Sequence, residues 1–140
     1  MYQKTLKSSF SLRGKGLHTG NKVRVTVYPA PVDHGIVFKR TDQPLFKSLI
    51  KASFKNVTET FLRTELSNEF GISVTTAEHL LAALAGTGIQ NALIELNSKE
   101  IPILDGSSLA FVRKILKAGI AEQDKVLTFF EVIRPFRVES

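Results

Sequence analysis

The sequence predicts an α+β fold, a two-layer sandwich in which two helices pack on one face of a mostly antiparallel sheet. Three observations predict this class. The first half of the chain alternates apolar and polar residues, as half-buried strands do. Two later segments repeat apolar residues at helical spacing, and a strand-like segment lies between them. With 140 residues, 43% of them hydrophobic, the chain can bury one core of this kind.

The predicted strands of the first half are recognised by their alternation. KVRVTVYP, residues 22–29, is the clearest, because Val23, Val25 and Val27 share one face and polar residues share the other. GIVFKRT follows at 35–41 after a turn around Asp33, so these two segments are predicted to form a hairpin. Three further candidates are KTLKSSFSLRG at 4–14, LIKASFKN at 49–56 and FLRTELS at 61–67.

Two helices and one strand are predicted in the second half. The first helix runs from about Thr76 to Ala85 and stops at Gly86, a suitable C-terminal glycine. The second helix begins after Ser107 or Ser108, either of which can cap it, and runs through LAFVRKILKA to Gly119. NALIELN, residues 91–97, is the strand between them.

The last segment, KVLTFFEVIRPFRVES, is unusually apolar for the end of a domain. Two interpretations remain open. Either this segment forms a strand that pairs back onto the sheet, or it leads into a second domain.

Composition excludes several functional classes. The chain has no cysteine, which excludes a disulfide framework and a thiolate metal cage. No apolar run approaches the ~18–20 residues that span a bilayer, and the first residues lack the apolar core of a secretory signal, so we expect a cytoplasmic protein. The net charge of +6 suits either a nucleic acid or an anionic small molecule. Because the basic residues are scattered and no stacking motif is visible, we expect no nucleic-acid partner.

Glu78 and His79 stand together at the predicted start of the first helix, and two interpretations apply. In the structural one, Thr75 is the N-cap and Glu78 completes a capping box from position N3. In the functional one, His79 binds zinc and the adjacent carboxylate of Glu78 accepts a proton from water. A catalytic zinc ion requires three protein ligands, and the other histidines, His18 and His34, lie in predicted loops.

Three separated motifs carry a family resemblance. GKGLHTG at 14–20, TTAEHLLAALAGTGIQNALIELN at 75–97 and EIPILDGSSLAFV at 100–112 occur in that order. In order and spacing they resemble the N-terminal half of the UDP-3-O-acyl-N-acetylglucosamine deacetylases, zinc enzymes of lipid A biosynthesis. The resemblance extends from about Gln3 to the last residue, and the three motifs at matching intervals make it specific.

The resemblance implies a reaction and a set of site residues. The reaction is hydrolysis of the N-acetyl group of a UDP-linked acylated glucosamine. Glu78 matches the general base and His79 matches a zinc ligand. Residues Thr60, Phe61 and Leu62 match a substrate-binding loop at the rim of the active site, and His18 falls in a motif near it. The LDGSS motif, residues 104–108, is interpreted structurally, as an aspartate–glycine turn and a serine cap.

The resemblance also implies a two-domain protein with the active site between the domains. The remaining zinc ligands, a histidine and an aspartate, belong to the second domain. On this basis residues 1–125 form the N-terminal domain, and residues 126–140 contain the first strand of a second domain. We therefore expect the 140 residues to be inactive alone, with a separately encoded C-terminal half as a candidate partner. The alternative is a non-catalytic domain that binds a partner chain or an anionic ligand.

Overall fold

The computed structural model describes residues 1–139 and confirms the predicted α+β class, with helices and mostly antiparallel sheets. The helices are α1 (Glu78–Gly86) and α2 (Leu109–Ala118). The strands are β1 (Tyr2–Leu6), β2 (Phe10–Lys15), β3 (Lys22–Pro29), β4 (Ile36–Arg40), β5 (Leu49–Lys51), β6 (Val57–Glu59), β7 (Glu65–Ser67), β8 (Ser73–Thr75), β9 (Ala92–Leu96) and β10 (Ile120–Val126).

The main sheet has five strands in the order β2-β3-β9-β4-β5, and only the β9–β4 pair is parallel. Its inner face carries the alternate residues of β3, and Val23, Val25 and Val27 are all buried as predicted. Both helices cover this face, where Leu80 and Phe111 are fully buried. The opposite, outer face of the sheet carries the intervening residues of each strand.

The predicted hairpin between residues 22–29 and 35–41 is wrong, because β9 lies between β3 and β4 and pairs with both. The physical reason is the composition of β9. Ala92, Ile94 and Leu96 are buried on one face and Leu93 is half-buried on the other, so the strand is most stable between two neighbours. The main-chain groups of Gly35 bond to β9, which holds the chain away from β3.

The candidate strand at 4–14 is in fact two strands separated by residues 7–9. After Leu6 the chain turns, and β1 pairs with β10 in a separate two-stranded sheet. Strand β10 was not predicted, because its sequence IAEQDKV is mostly polar. The other two candidates are shortened: β5 ends at Lys51, and residues 61–64 form a loop before β7. Strands β6, β7 and β8 form a third, three-stranded sheet.

The helix boundaries differ from prediction at α1 and agree at α2. Helix α1 starts at Glu78, and its terminal glycine is Gly88 with φ 80°, not Gly86. The amides of Gly88 and Ile89 donate to the carbonyls of Ala85 (3.1 Å) and Leu84 (2.9 Å), which is a Schellman motif.

At α2 the predicted terminal glycine is confirmed, whereas the N-cap residue, Ser108, makes no side-chain cap bond. The hydroxyl of Ser107 accepts from the amide of Leu109 at 3.1 Å, and Gly119 follows the last turn with φ 87°.

Beyond β10, residues 127–139 form neither helix nor strand, and their phenylalanine side chains are exposed. Leu127 still donates its amide to the carbonyl of Met1 at 2.8 Å, next to the β1–β10 pairing, and residues 128–139 pair with no strand. The division into a domain at 1–125 and the start of another at 126–140 stays a prediction, and Ser140 lies outside the described residues. Neither helix among residues 1–139 is long and apolar enough to cross a membrane.

Candidate functional site

The start of α1 places the two predicted catalytic residues at the meeting point of three loops. Strand β8 ends at Thr75, and helix α1 starts at Glu78 after only two residues. Glu78 and His79 are half-buried in the first turn, where the helix dipole favours a carboxylate. The first turn of a helix thus presents the predicted base and ligand side by side.

The capping-box interpretation of Glu78 is wrong. Thr75 belongs to β8, and its amide donates to the carbonyl of Lys99 at 2.9 Å. The N-cap is Ala77, with no side-chain cap bond. Oε2 of Glu78 instead accepts from the amide of Thr64 at 3.1 Å, in a loop 14 residues earlier. The carboxylate therefore joins α1 to another element, and among residues 1–139 its Oε1 has no hydrogen-bond partner.

The main chain of His79 is anchored, while its imidazole has no protein partner. Its carbonyl accepts from the hydroxyl of Ser108 at 2.8 Å, which ties the first turn of α1 to the start of α2. Within the described part of the chain, no group hydrogen-bonds to the imidazole nitrogens. The backbone that carries the ring is therefore anchored, while neither ring nitrogen is occupied by a protein hydrogen bond among these residues.

The first loop contains the predicted substrate-binding residues. Thr60 and Phe61 donate their amides to Oε1 of Glu59 at 2.8 and 2.7 Å, and these bonds hold the pKa of that carboxyl below its usual value. The side chains of Phe61 and Leu62 are 74% and 75% exposed. Through Thr64, two residues after Leu62, the loop that carries this apolar pair is bonded to Glu78.

The second loop, GLHTG at residues 16–20, reaches α1 through a buried carboxylate that sequence reasoning missed. Glu100 is only 1% exposed. Its oxygens accept from the amides of His18 (3.0 Å) and Thr19 (2.8 Å) and from the hydroxyl of Thr76 (2.9 Å). His18 therefore lies in a loop fixed to the residue two positions before Glu78. Its own side chain is exposed and makes no hydrogen bond among residues 1–139.

Glu100 is charged despite its burial. Burial by itself raises the pKa of this carboxyl, but the amides of His18 and Thr19 and the hydroxyls of Thr19 and Thr76 together hold the pKa below its usual value. No cation pairs with it among residues 1–139. A Cβ on Gly16 would come within 2.1 Å of Oε2, so only glycine lets the loop wrap this closely.

Thr76 has a strained backbone at this junction. Its φ is 58°, in the left-handed region that β-branched residues avoid. Such strain persists only where surrounding contacts hold it, and it is concentrated at functional sites. Here the hydroxyl bond to Glu100 holds the residue, and the resulting turn redirects the chain from β8 into α1.

The third loop is LDGSS, and the predicted aspartate–glycine turn is present, although Ser108 at the N-cap of α2 makes no side-chain cap bond. Oδ1 of Asp105 accepts from the amide and hydroxyl of Ser107, and Gly106 adopts φ 80°. The bond from Ser108 to His79 was not predicted. The sequence signal for it was the pair of adjacent serines: the hydroxyl of Ser107 accepts from the amide of Leu109, which leaves the hydroxyl of Ser108 available for another element.

The residues present do not form a complete metal site. Among residues 1–139 no three histidine, cysteine, aspartate or glutamate side chains are grouped as metal ligands. His34 lies in the β3–β4 connection, with Nδ1 at 2.9 Å from the carbonyl of Gly35. The chain therefore offers one candidate ligand, His79, where a catalytic zinc ion needs three.

Comparison with known proteins gives a consistent result over the whole chain. A family model described as UDP-3-O-acyl N-acetylglycosamine deacetylase matches residues 3–140. The chain is 48% identical over 140 residues to a protein from Shewanella frigidimarina named UDP-3-O-acyl-N-acetylglucosamine deacetylase. Proteins of the same name from Idiomarina loihiensis and Xanthomonas campestris are 49% and 47% identical over 139 residues. These matches cover 99–100% of the chain but only 45% of each relative, so the chain spans less than half of their length.

Proposed function

The chain belongs to the UDP-3-O-acyl-N-acetylglucosamine deacetylase family, and from this membership we propose that it is the N-terminal portion of such an enzyme. The proposed reaction removes the N-acetyl group from a UDP-linked, acylated glucosamine in the cytoplasm, as a step of lipid A biosynthesis. The observation that carries the proposal is the convergence of three loops on the start of α1, where Glu78 and His79 stand together.

Glu78 is the proposed general base. One of its oxygens is held by the amide of Thr64, which fixes the carboxylate, and the other has no protein partner among residues 1–139. An anchored carboxylate with one available oxygen can accept a proton from a water molecule at a defined position. The structural cost of this role is small, because the start of a helix already favours a negative charge.

His79 is the proposed ligand of a zinc ion. Its imidazole has no hydrogen-bond partner within residues 1–139, and the bond from Ser108 fixes the backbone that carries it. Because one ligand is insufficient, the others must come from outside these residues. A second domain that supplies a histidine and an aspartate would complete the set.

The rim of the site is proposed to bind the substrate. Phe61 and Leu62 present exposed apolar side chains on the loop that Thr64 ties to Glu78, and an acyl chain would cover them. Thr60 belongs to the same loop and adds a hydroxyl. His18, carried by the loop around Glu100, is the proposed polar contact on the other side of α1.

The domain boundaries follow from the same proposal. Residues 1–125 form the N-terminal domain, and residues 126–140 lead into a second one. A C-terminal half, supplied on the same chain or as a separate one, is the proposed partner. We therefore propose that the 140-residue chain by itself binds zinc weakly and does not turn over the substrate.

The proposal is tested by deacetylase assays on the chain combined with a separately produced C-terminal half from a relative. We expect turnover only in the mixture. Glu78→Gln should lower kcat by at least about 100-fold, while Glu122→Gln on the exposed side of β10 should leave kcat unchanged. Zinc content of the mixture should fall with His79→Ala and not with His34→Ala. Full turnover by the Glu78→Gln mixture would contradict the proposal.

A second candidate function is a non-catalytic domain that binds a partner chain. The exposed apolar side chains of residues 129–138 favour it. This candidate predicts a stable complex with the C-terminal half that has no turnover and no zinc. The assay above therefore separates the two functions.

A further inference from the structure

The outer face of the main sheet carries a concentration of positive charge that the proposed active site does not use. The register of β2 and β3 places Arg13 directly opposite Arg24, and Lys15 directly opposite Lys22. All four side chains are exposed. Like charges directly opposite each other destabilise a sheet, so this arrangement has an energetic cost in the free protein.

The positive charge continues across the sheet to the other edge. Lys39 of β4 and Lys51 of β5 also lie on the outer face. The residue directly before each of them, Phe38 and Ile50, is fully buried, and successive residues of a strand point to opposite faces. The one carboxylate on this face is Glu95 of β9, which pairs with Lys39 at 3.3 Å. We call the six cations the basic face: Arg13, Lys15, Lys22, Arg24, Lys39 and Lys51.

The basic face is almost uncompensated. Except for Lys39, none of its side chains makes an ion pair with another residue in the described part of the chain. Six cations and one carboxylate give this face a net charge of +5, while the whole chain carries +6. The outer face of the sheet therefore accounts for nearly all of the net charge of the protein.

An exposed apolar rim borders the basic face at the β5 edge. Leu49 lies directly opposite Lys39, and Leu45 lines the same groove as Lys39 and Glu95. Leu45, Phe46 and Leu49 are 73%, 71% and 52% exposed. The Nζ atom of Lys47 lies 5.3 Å from the centroid of the Phe46 ring, so cation and apolar surface alternate here. We call Leu45, Phe46 and Leu49 the apolar rim.

We propose that the basic face and the apolar rim together form a peripheral binding surface for an anionic phospholipid bilayer. Clustered Lys and Arg bind anionic headgroups, and exposed Leu and Phe side chains that border such a cluster enter the headgroup–acyl boundary. Arg13, Lys15, Lys22 and Arg24 line one open pocket, but the cations continue across the sheet to Lys39 and Lys51, so the basic face matches an extended anionic surface better than a single small anion. Two of the three rim side chains, Leu45 and Leu49, are aliphatic; they gain free energy in lipid and offer no stacking surface for the bases of a nucleic acid, so the bilayer is the favoured partner.

The proposal also gives the protein a defined orientation. The helices cover the inner face of the sheet, so a bilayer on the outer face lies against the layer opposite α1 and α2. The start of α1 stays away from the lipid contact. Lipid binding therefore does not depend on Glu78, His79 or zinc, and it can be tested on the 140-residue chain regardless of its activity.

The test measures partition of the 140-residue chain onto vesicles made of equal parts phosphatidylglycerol and phosphatidylcholine, with pure phosphatidylcholine vesicles as reference. We expect binding to the anionic vesicles only, weakening as ionic strength rises to the physiological value. The triple variant Arg13→Gln/Lys15→Gln/Lys22→Gln should lower the partition coefficient by about 100-fold, at about fivefold for each cation. The double variant Leu45→Ser/Phe46→Ser should lower it by about tenfold without changing the salt dependence.

A matched triple variant on α2 controls for net charge. Arg113, Lys114 and Lys117 are exposed, and Arg113→Gln/Lys114→Gln/Lys117→Gln removes the same one arginine and two lysines. We expect this variant to bind within about threefold of the unmodified chain, since its cations face away from the bilayer. Thermal unfolding confirms that each variant is folded. Equal losses in the two triple variants, no partition at low salt, or displacement of the chain from vesicles by single-stranded RNA would each overturn the proposal.

Discussion

Thr76 shows how a single strained residue connects the fold to the candidate site. Its φ of 58° turns the chain between β8 and α1, and its hydroxyl is the contact that joins α1 to Glu100. The strain of a β-branched residue in this region is held by a buried, charged acceptor. The orientation of Glu78, two residues later, therefore depends on a contact with a residue 24 positions away along the chain.

We predict that Thr76→Gly is less destabilising than Thr76→Ala by about 1 kcal/mol. Both variants lose the hydroxyl bond to Glu100 equally, but glycine adopts positive φ without strain and alanine does not. Urea unfolding of the two variants measures the difference. Equal stability of the pair would show that the backbone at this position is relaxed.

Glu100→Gln should lower the free energy of unfolding by about 2–3 kcal/mol, because the amide keeps the shape of the side chain but loses bonds to a charged acceptor. Two main-chain amides and one hydroxyl then face a group with a single acceptor oxygen. Glu122→Gln, at an exposed position, is the control and should change stability by less than about 0.5 kcal/mol. If the two variants are equally stable, the buried carboxylate does not stabilise the loops.

At the level of residues, the sequence indicates candidate residues but not the contacts that hold them in place. Glu78 and His79 were identified from a motif, and the loop with Phe61 and Leu62 does lie beside them. Glu100 and Thr64 were missed, because their importance arises from contacts between distant segments. The available signal was the position of Glu100 directly before the apolar run IPIL, which indicates burial. A buried carboxylate needs hydrogen-bond donors, and since the run has no polar side chains, the donors had to come from another segment.

At the level of elements, patterns with one clear face were predicted well. Strand β3 alternates strictly, and α2 has a periodic apolar stripe and a terminal glycine, so their bounds agree with the structure to within a residue. Strand β10 is polar, and its pairing with β1 depends on side chains far apart in sequence. The hairpin between β3 and β4 was predicted wrongly because local turn residues carry no information about a strand inserted from 50 residues later.

The end of α1 provides a matched pair of glycine variants. Gly88→Ala should destabilise the protein by about 1 kcal/mol, because its φ of 80° is unfavourable for any residue with a Cβ, although space is available for the Cβ itself. Gly86→Ala should be neutral or stabilising by up to about 1 kcal/mol, since Gly86 is helical and no atom lies within 4 Å of the added Cβ. Thermal unfolding of both variants gives the comparison. The reverse order would mean that the left-handed residue after α1 is Gly86 and not Gly88.

At the scale of the whole molecule, charge is divided between two faces. The basic face covers the outer side of the sheet, while the start of α1 contains Glu78 and is tied to the buried anion Glu100. Because these regions lie on opposite layers, loss of lipid binding and loss of catalysis are expected from different sets of variants. A variant of the basic face should therefore keep the zinc content and turnover of the mixture with the C-terminal half.

The same charge distribution predicts that acid destabilises the fold. Hydrogen bonds lower the pKa values of five carboxyls in the folded state: Asp33, Asp42, Glu59, Glu100 and Asp105. At Glu100 burial is the largest single effect and raises the pKa, but the hydrogen bonds together outweigh it. Groups with a lowered folded pKa contribute stability above their unfolded pKa of about 4, and this stability is lost as the pH falls through the folded pKa. Protonation also raises a net charge that is already +6, which adds repulsion.

We therefore expect the urea midpoint to be flat between about pH 6 and pH 8 and to fall steeply below about pH 4. Glu100→Gln should have a lower midpoint at neutral pH and a shallower fall in acid, because the most buried of the five carboxyls no longer titrates. Added salt should recover part of the acid loss in both proteins, since screening reduces repulsion among the cations. The midpoint measured against pH for the two proteins decides the matter: parallel curves would show that Glu100 is not the carboxylate that links protonation to unfolding.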